Sequence, residues 1–358
     1  MFYRFSKAVL LTLIFSFYIN TNAQDDFDFK PGSTVGGYGE LHYNNVKPEN
    51  GKATKTFDFH RFVLFYGYNW TEKWSFKAEV ELEHNFVNDG QGELELEQAY
   101  VNYHHADWFG FQVGVVLPSV GLINEYHEPP LFLSVERPDY HNKIIPTTWF
   151  GNGASVYGSY EGFSYKATIM EGLNSDKFSA SGAIRGGRAK GFKSDAENLL
   201  YNVRLDYLNV PGLKVGGSFT YNDAKGPTTE NAITILEGHA QYSANNLIGI
   251  FEIGNISYDQ GNLEQSLGYY FDLGYNVGAL LNSEMQIIPF FRWMQHNTSS
   301  SNKLGAAAEE QYDTKMWMVG LSLKPISQVV FKLDYGVQTV GANDTETTLF
   351  NLGAGYMF

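Results

Sequence analysis

The sequence predicts an all-β fold: a transmembrane antiparallel β-barrel of about sixteen strands over residues 24–358, with its third extracellular loop folded inward. Three features carry that reading. Apolar and polar residues alternate with period two in segments from Val35 to Phe358, and the connections between them alternate between short turns and long polar loops. One connection, Pro118 to Gly153, is too long and too apolar for an ordinary surface loop. It needs a buried place to sit, and a barrel interior offers one.

Residues 1–23 stand apart as an export signal. Arg4 and Lys7 precede an apolar run from Ala8 to Ile19, and Thr21-Asn22-Ala23 suits a signal peptidase that leaves Gln24 first. No later segment reaches the roughly 18 consecutive apolar residues that a membrane helix requires. Losing the two cations takes the net charge from −14 to −16, an acidic balance that argues against nucleic acid as a partner. The chain has no cysteine, which excludes disulfides, thiolate metal sites and a cysteine-linked lipid anchor. Its 27 Phe, 24 Tyr and 37 Gly favour strands and turns.

Taken in order, Val35 to Tyr43 opens the alternation, and Phe57 to Trp70 follows with a switch of parity near Arg61. Trp74 to Phe86 is the clearest strand: Trp74, Phe76, Ala78, Val80, Leu82 and Phe86 share one face, and Ser75, Lys77, Glu79, Glu81, Glu83 and Asn85 the other. Ala99 to Tyr103 and Phe111 to Leu117 lead into the long loop; Ala154 to Tyr160, Phe163 to Ile169 and Leu199 to Tyr207 follow it. Leu213 to Tyr221, Ile233 to Tyr242 and Leu247 to Tyr258 come next, the last of them apolar on both faces. Leu267 to Val277, Ile287 to Trp293, Trp317 to Leu323, Val329 to Val337 and Thr348 to Phe358 complete an even count, as bacterial barrels require. A long polar loop is expected from His296 to Asp313. Tyr68, Trp70, Trp74, Trp108, Tyr160, Tyr207, Tyr221, Tyr258, Trp293 and Trp317 fall near segment ends, where interfacial aromatic girdles belong. The inner faces are expected to mix Lys77, Arg204, Lys214, Arg292, Lys315 and Lys332 with Glu79, Glu81, Glu83, Asp206, Asp272 and Asp334.

Three stretches carry a family resemblance: EHNFVNDGQGELELEQAYVNY from Glu83 to Tyr103, VGVVLPSVGLINEYHEPPLFLSVERPDYHNKIIPTTWFGNG from Val113 to Gly153, and IRGGRAKG from Ile184 to Gly191. With the terminal strand, they resemble the phosphate-selective porins of the O and P type as found in Bacteroidetes-like bacteria. The resemblance implies a sixteen-stranded outer-membrane barrel, a homotrimer, and a third extracellular loop that constricts the pore. Phosphate-selecting relatives line that pore with a column of arginines, whereas this sequence has seven arginines in all, Arg4 included. Small anions such as phosphate and general non-selective diffusion are therefore both open as the permeating class.

Two groups of basic residues are candidate anion sites. Lys177, Arg185, Arg188, Lys190 and Lys193 form a run without an acid, and guanidinium forks suit phosphate and carboxylate. The same run also suits lipopolysaccharide phosphates at the outer-membrane surface. In the long loop, Arg137, His141 and Lys143 stand among Glu125, Glu128, Glu136 and Asp139. These charges set ion preference at a constriction, pin the loop to the wall, or do both. Glu79, Glu81 and Glu83 with Glu93, Glu95 and Glu97 offer oxygen ligands for calcium, but without an EF-hand pattern they read as a solvated wall paired with Lys and Arg. No metal or other cofactor is expected. With no Walker loop, GxSxG elbow or HExxH, an enzyme is not expected either, and an adhesin barrel is a further alternative.

Overall fold

The computed structural model describes residues 29–88, 91–194 and 196–358, so the expected export signal at residues 1–23 lies outside the described residues. The first eight strands are Gly32–Pro48 (β1), Thr54–Asn69 (β2), Trp74–Glu83 (β3), Leu94–Ala106 (β4), Phe109–Val116 (β5), Gly151–Tyr160 (β6), Phe163–Met170 (β7) and Leu200–Val210 (β8). The second eight are Leu213–Asn222 (β9), Ile233–Ala244 (β10), Leu247–Tyr258 (β11), Leu263–Tyr275 (β12), Gln286–Asn302 (β13), Asp313–Ile326 (β14), Val329–Val340 (β15) and Thr345–Met357 (β16). Among the described residues these sixteen form one closed barrel in which every strand pairs with its sequence neighbours and β16 returns to β1. All pairings are antiparallel. Closure extends to Phe358, which exchanges two backbone hydrogen bonds with Gly37 (2.9 and 3.0 Å).

The two faces of the sheet are inverted relative to a barrel folded in water. In β8, Asn202, Arg204 and Asp206 are buried, while Tyr201, Val203 and Leu205 are exposed. The same outward apolar face continues through Phe62 and Leu64 on β2, Phe219 on β9 and Leu333 and Tyr335 on β15. An apolar band around a polar interior is what the hydrocarbon of a bilayer selects.

The switch of parity near Arg61 is a β-bulge, and β4 carries a second one. On β2 the pairing with β1 passes from Glu40 opposite Arg61 to Leu41 opposite Phe59, so His60 is the extra residue. On β4 it passes from Gln98 opposite Glu79 to Leu96 opposite Val80, leaving Glu97 extra. A bulge re-aims the side chains on either side of it; here both lie beside the same buried carboxylates.

Several expected boundaries move. β13 runs on to Asn302 and a helical turn, Ala306–Glu310, shortens the loop expected from His296. On the short-turn side, residues 276–285 form a longer connection that carries a 3-10 segment, Val277–Leu281. Lys315, expected inside, shares the outward face of β14 with Trp317 and Val319, while Met316 and Met318 point in. Near the strand end its ammonium reaches Asp313 (3.8 Å), so a long stem carries the charge out of the lipid band. Tyr258, expected in the girdle, is buried and meets Ser266 Oγ at 3.0 Å. β11 is apolar on both faces because Ile250 and Ile256 meet an apolar cluster that includes Val120, Tyr140 and Ile144 of the long connection.

Candidate functional site

The connection between β5 and β6, residues 117–150, is largely buried and contains a 3-10 turn at Pro129–Leu131 and a single helical turn at Tyr140–Lys143. Buried backbone groups need partners, and side chains of widely separated strands supply them. Asn202 on β8 accepts from Ser119 N (2.9 Å), Glu252 on β11 from Leu122 N (2.5 Å), and Asp334 on β15 from Val135 N (2.7 Å). Arg204 donates to the Gly121 carbonyl (2.8 Å) and Lys332 to that of Ser134 (2.7 Å). Close approach also requires the absence of side chains on the strands. A Cβ at Gly268 would lie 2.6 Å from Ile144, and one at Gly355 would lie 2.4 Å from Pro129.

Arg292 is the strongest anchor. It makes a bidentate pair with Asp272 (2.6 Å for each bond), donates to Ser134 Oγ (2.5 Å), and is fully buried. Removing one partner of a buried pair costs about 3–5 kcal/mol, because the other charge is stranded. Arg292→Ala is therefore expected to destabilise the protein by about that amount in thermal or denaturant unfolding. Arg292→Met combined with Asp272→Leu should recover most of the loss. Equal destabilisation of the single and double variants would show that the pair is not the source.

The apolar side of residues 117–150 packs on the inward faces of β10 to β14, through Ile235, Ile250, Met294, Met316 and Met318. The polar side is left facing β1 to β4, where a cavity of about 450 Å³ opens, lined by Arg61, Arg137, Arg185, Arg188 and Lys190 together with glutamates of those strands. A second cavity of about 740 Å³ is lined by Ser119, Glu125 and Tyr126 from the same connection and by Lys77, Asn102 and Lys214 from the strands.

The cations of the first cavity differ in what they touch. Arg61 pairs with Glu40 (2.7 Å) and Glu81 (3.0 Å). Lys190 pairs with Glu93 (2.5 Å) and with Glu95. Arg185, Arg188 and Arg137 have no carboxylate within salt-bridge distance among the described residues; they are bound to backbone and hydroxyl oxygens instead. Arg185 Nη1 donates to the Thr147 carbonyl (2.9 Å), and Arg188 Nη1 to the carbonyls of Pro146 (2.8 Å) and Thr148. Arg137 reaches the His127 carbonyl at 3.3 Å, and its buried Nε has no hydrogen-bond partner. Burial pushes the Arg185 and Arg188 guanidinium groups down, Arg188 to about 10, with the adjacent Arg185 charge as its next cause.

Of the eight residues singled out by sequence, Arg137, His141, Arg185, Arg188 and Lys190 thus meet around one cavity. His141 borders it, but its Nε2 is taken by Glu252. Lys143 is half-buried on the helical turn and does not line the cavity; Lys177 and Lys193 are exposed, Lys193 lying over the Phe192 ring (5.9 Å). The wall of Glu79, Glu81 and Glu97 is buried and not solvated as expected. Sequence reasoning missed Glu40, His42, His60 and Arg61. The parity switch near Arg61 was their one visible signal.

The family model described as phosphate-selective porin O and P matches residues 35–277. An uncharacterized protein of Aquifex aeolicus (strain VF5) is 31% identical over 334 residues, covering 86% of this chain and 76% of that protein. Among solved structures, the chain resembles an anion-selective porin from Comamonas acidovorans (TM-score 0.62, 12% identity, 92% of this chain and 100% of that one). It also resembles the trimer form of OmpT from Vibrio cholerae (TM-score 0.59, 14% identity, 91% and 100%) and Salmonella typhi OmpF in complex with daunomycin (TM-score 0.63, 12% identity, 91% and 97%). At these identities the structural likeness speaks for the fold alone. Joined to the family match across most of the barrel, the lipid-facing apolar band and the closed sixteen-strand sheet, it leads to one assignment: the chain belongs to the phosphate-selective porin O and P family and is an outer-membrane porin.

Proposed function

We propose that this porin, rather than being an enzyme, passes small anions such as phosphate by passive diffusion, and that residues 117–150 cross the lumen and form its constriction. Contacts from one segment to β8, β11, β13 and β15 favour a path through the interior of the ring. The observation that carries anion preference is the set of three arginines, Arg137, Arg185 and Arg188, that share one cavity without a carboxylate partner among the described residues. Arg61 and Lys190 there are already paired with Glu40, Glu81, Glu93 and Glu95, so these three guanidinium groups are the cations of the cavity left without an ion pair. A permeant anion responds to that local potential, since exposed charges beyond roughly 8–10 Å are largely screened at physiological salt. The exposed Lys177 and Lys193 are left to meet lipopolysaccharide phosphates, residues 1–23 are removed on export, and three copies assemble as in the OmpT trimer form.

The number of glutamates around the same cavity favours a second reading, a general diffusion pore with little preference of sign. The reversal potential of the purified protein in a planar bilayer under a potassium chloride gradient, repeated with potassium phosphate, separates the two. Anion preference in both salts is expected. A cation-selective or indifferent channel would leave the general pore.

A further inference from the structure

We propose that Glu79, Glu97 and His127 form a binding site for a divalent first-row transition-metal ion, with Zn²⁺ as the reference ligand, which ties residues 117–150 to the wall made by β3 and β4. His127 Nε2 lies 3.5 Å from Glu79 Oε1 and 3.4 Å from Glu97 Oε2, and the three side chains are only 3%, 1% and 1% exposed. None of these three atoms has a hydrogen-bond partner. Buried polar atoms are almost always hydrogen-bonded, so three that lie within 4.8 Å of one another and meet only through two long ion-pair contacts need a reason.

The distances supply one. They exceed the 2.7–3.2 Å of an ordinary N–H···O bond. An ion held tetrahedrally at about 2.0–2.2 Å from nitrogen and oxygen ligands sets those ligands roughly 3.3–3.5 Å apart. The outer contacts fit as well. Asn124 O lies 3.3 Å from His127 Nδ1, which directs the Nε2 lone pair at the carboxylates. Gln98 donates to the other oxygen of Glu79 and holds it in place. The bulge on β4 is what turns Glu97 toward this point. One imidazole and two carboxylates suit zinc, manganese or cobalt, whereas calcium takes about 6–8 oxygens.

A second cluster of similar composition, Asp58, His60 and His84, lacks this character. Arg61 Nη2 sits 2.7 Å from His60 Nε2, which must therefore accept, so the His60 proton is on Nδ1 and faces Asp58 (3.3 Å). His60 thus has no lone pair free for an ion. His84→Ala is thus the control.

The test uses the purified full barrel in detergent, stripped with EDTA, dialysed and titrated with Zn²⁺ by calorimetry, with bound metal counted by mass spectrometry. Wild type and His84→Ala are expected to take up one ion per chain. Glu97→Gln and His127→Gln should weaken binding by more than the roughly 10–100-fold that loss of an outer partner costs. Titration of unmutated protein with Co²⁺ needs no variant to fold; visible ligand-field bands that Zn²⁺ displaces are expected. Absence of both uptake and bands in wild type would overturn the proposal in favour of a protonated imidazole bridging the two carboxylates. Uptake abolished by His84→Ala and untouched by Glu97→Gln and His127→Gln would overturn it as well.

Discussion

Replacing residues 119–149 by a short glycine-serine link is expected to raise single-channel conductance several-fold while leaving the barrel intact. Val116 and Gly151 are directly paired across β5 and β6, so a short link closes the gap without strain. The sheet is held by its own backbone ladder, which runs unbroken around the ring and does not pass through the excised residues. Glu252, Asp334 and Lys332 lose their backbone partners but gain water, which is far less costly than being left buried and unpaired. The thermal midpoint should still fall, because the excision exposes Ile235, Ile250, Met294, Met316 and Met318 to water. Ion preference should weaken in parallel, since Arg137 is removed and Arg185 and Arg188 lose the Pro146 to Thr148 carbonyls that hold them. Conductance equal to that of the intact protein, measured on a barrel of normal heat-modifiable mobility, would place the segment outside the permeation path.

The fold is legible in the sequence because a lipid-facing wall and a polar interior impose opposite chemistry on alternate residues, as in β8. Legibility fails where the interior is not polar. β11 reads as apolar on both faces since it is wedged between lipid and the buried connection. It fails again where a charge is taken as proof of an inward position: Lys315 lies on the outward face near a strand end. The site is less legible than the fold for a different reason. Lys190 meets Glu93 and Glu95 across nearly a hundred positions of sequence, so a run that is acid-free along the chain is not acid-free in space. The two bulges that gather Glu40, Arg61, Glu79 and Glu97 leave only a parity slip as their trace. What survived from the basic run is the pair whose partners are carbonyls.

Arg185→Ala combined with Arg188→Ala is expected to shift the channel away from chloride and phosphate and toward potassium, most strongly at low salt. Both guanidinium groups border the cavity and neither is ion-paired, so each acts on a passing ion with a positive charge that the nearby Glu83, Glu93, Glu95 and Glu97 offset only in part. A unit charge about 4 Å from an ion is worth about 1 kcal/mol in water and more where the walls lower the dielectric. Removing two is therefore worth at most about 2 kcal/mol, an upper limit of roughly thirty-fold on the change in permeability ratio before screening and the nearby glutamates reduce it. Salt reduces it, with a Debye length falling from about 30 Å at 0.01 M to about 3 Å at 1 M. The shift should shrink accordingly as the potassium chloride gradient is run at higher concentrations. Lys190→Ala is the informative comparison, because that ammonium is already matched by Glu93 and Glu95. Its loss exposes carboxylates and should also move selectivity toward cations, but it leaves phosphate block of chloride current intact if the arginine pair is where phosphate binds. Reversal potentials of the double variant that match wild type at low salt would show that Arg185 and Arg188 serve the Pro146 to Thr148 carbonyls alone, and that ion preference is set elsewhere.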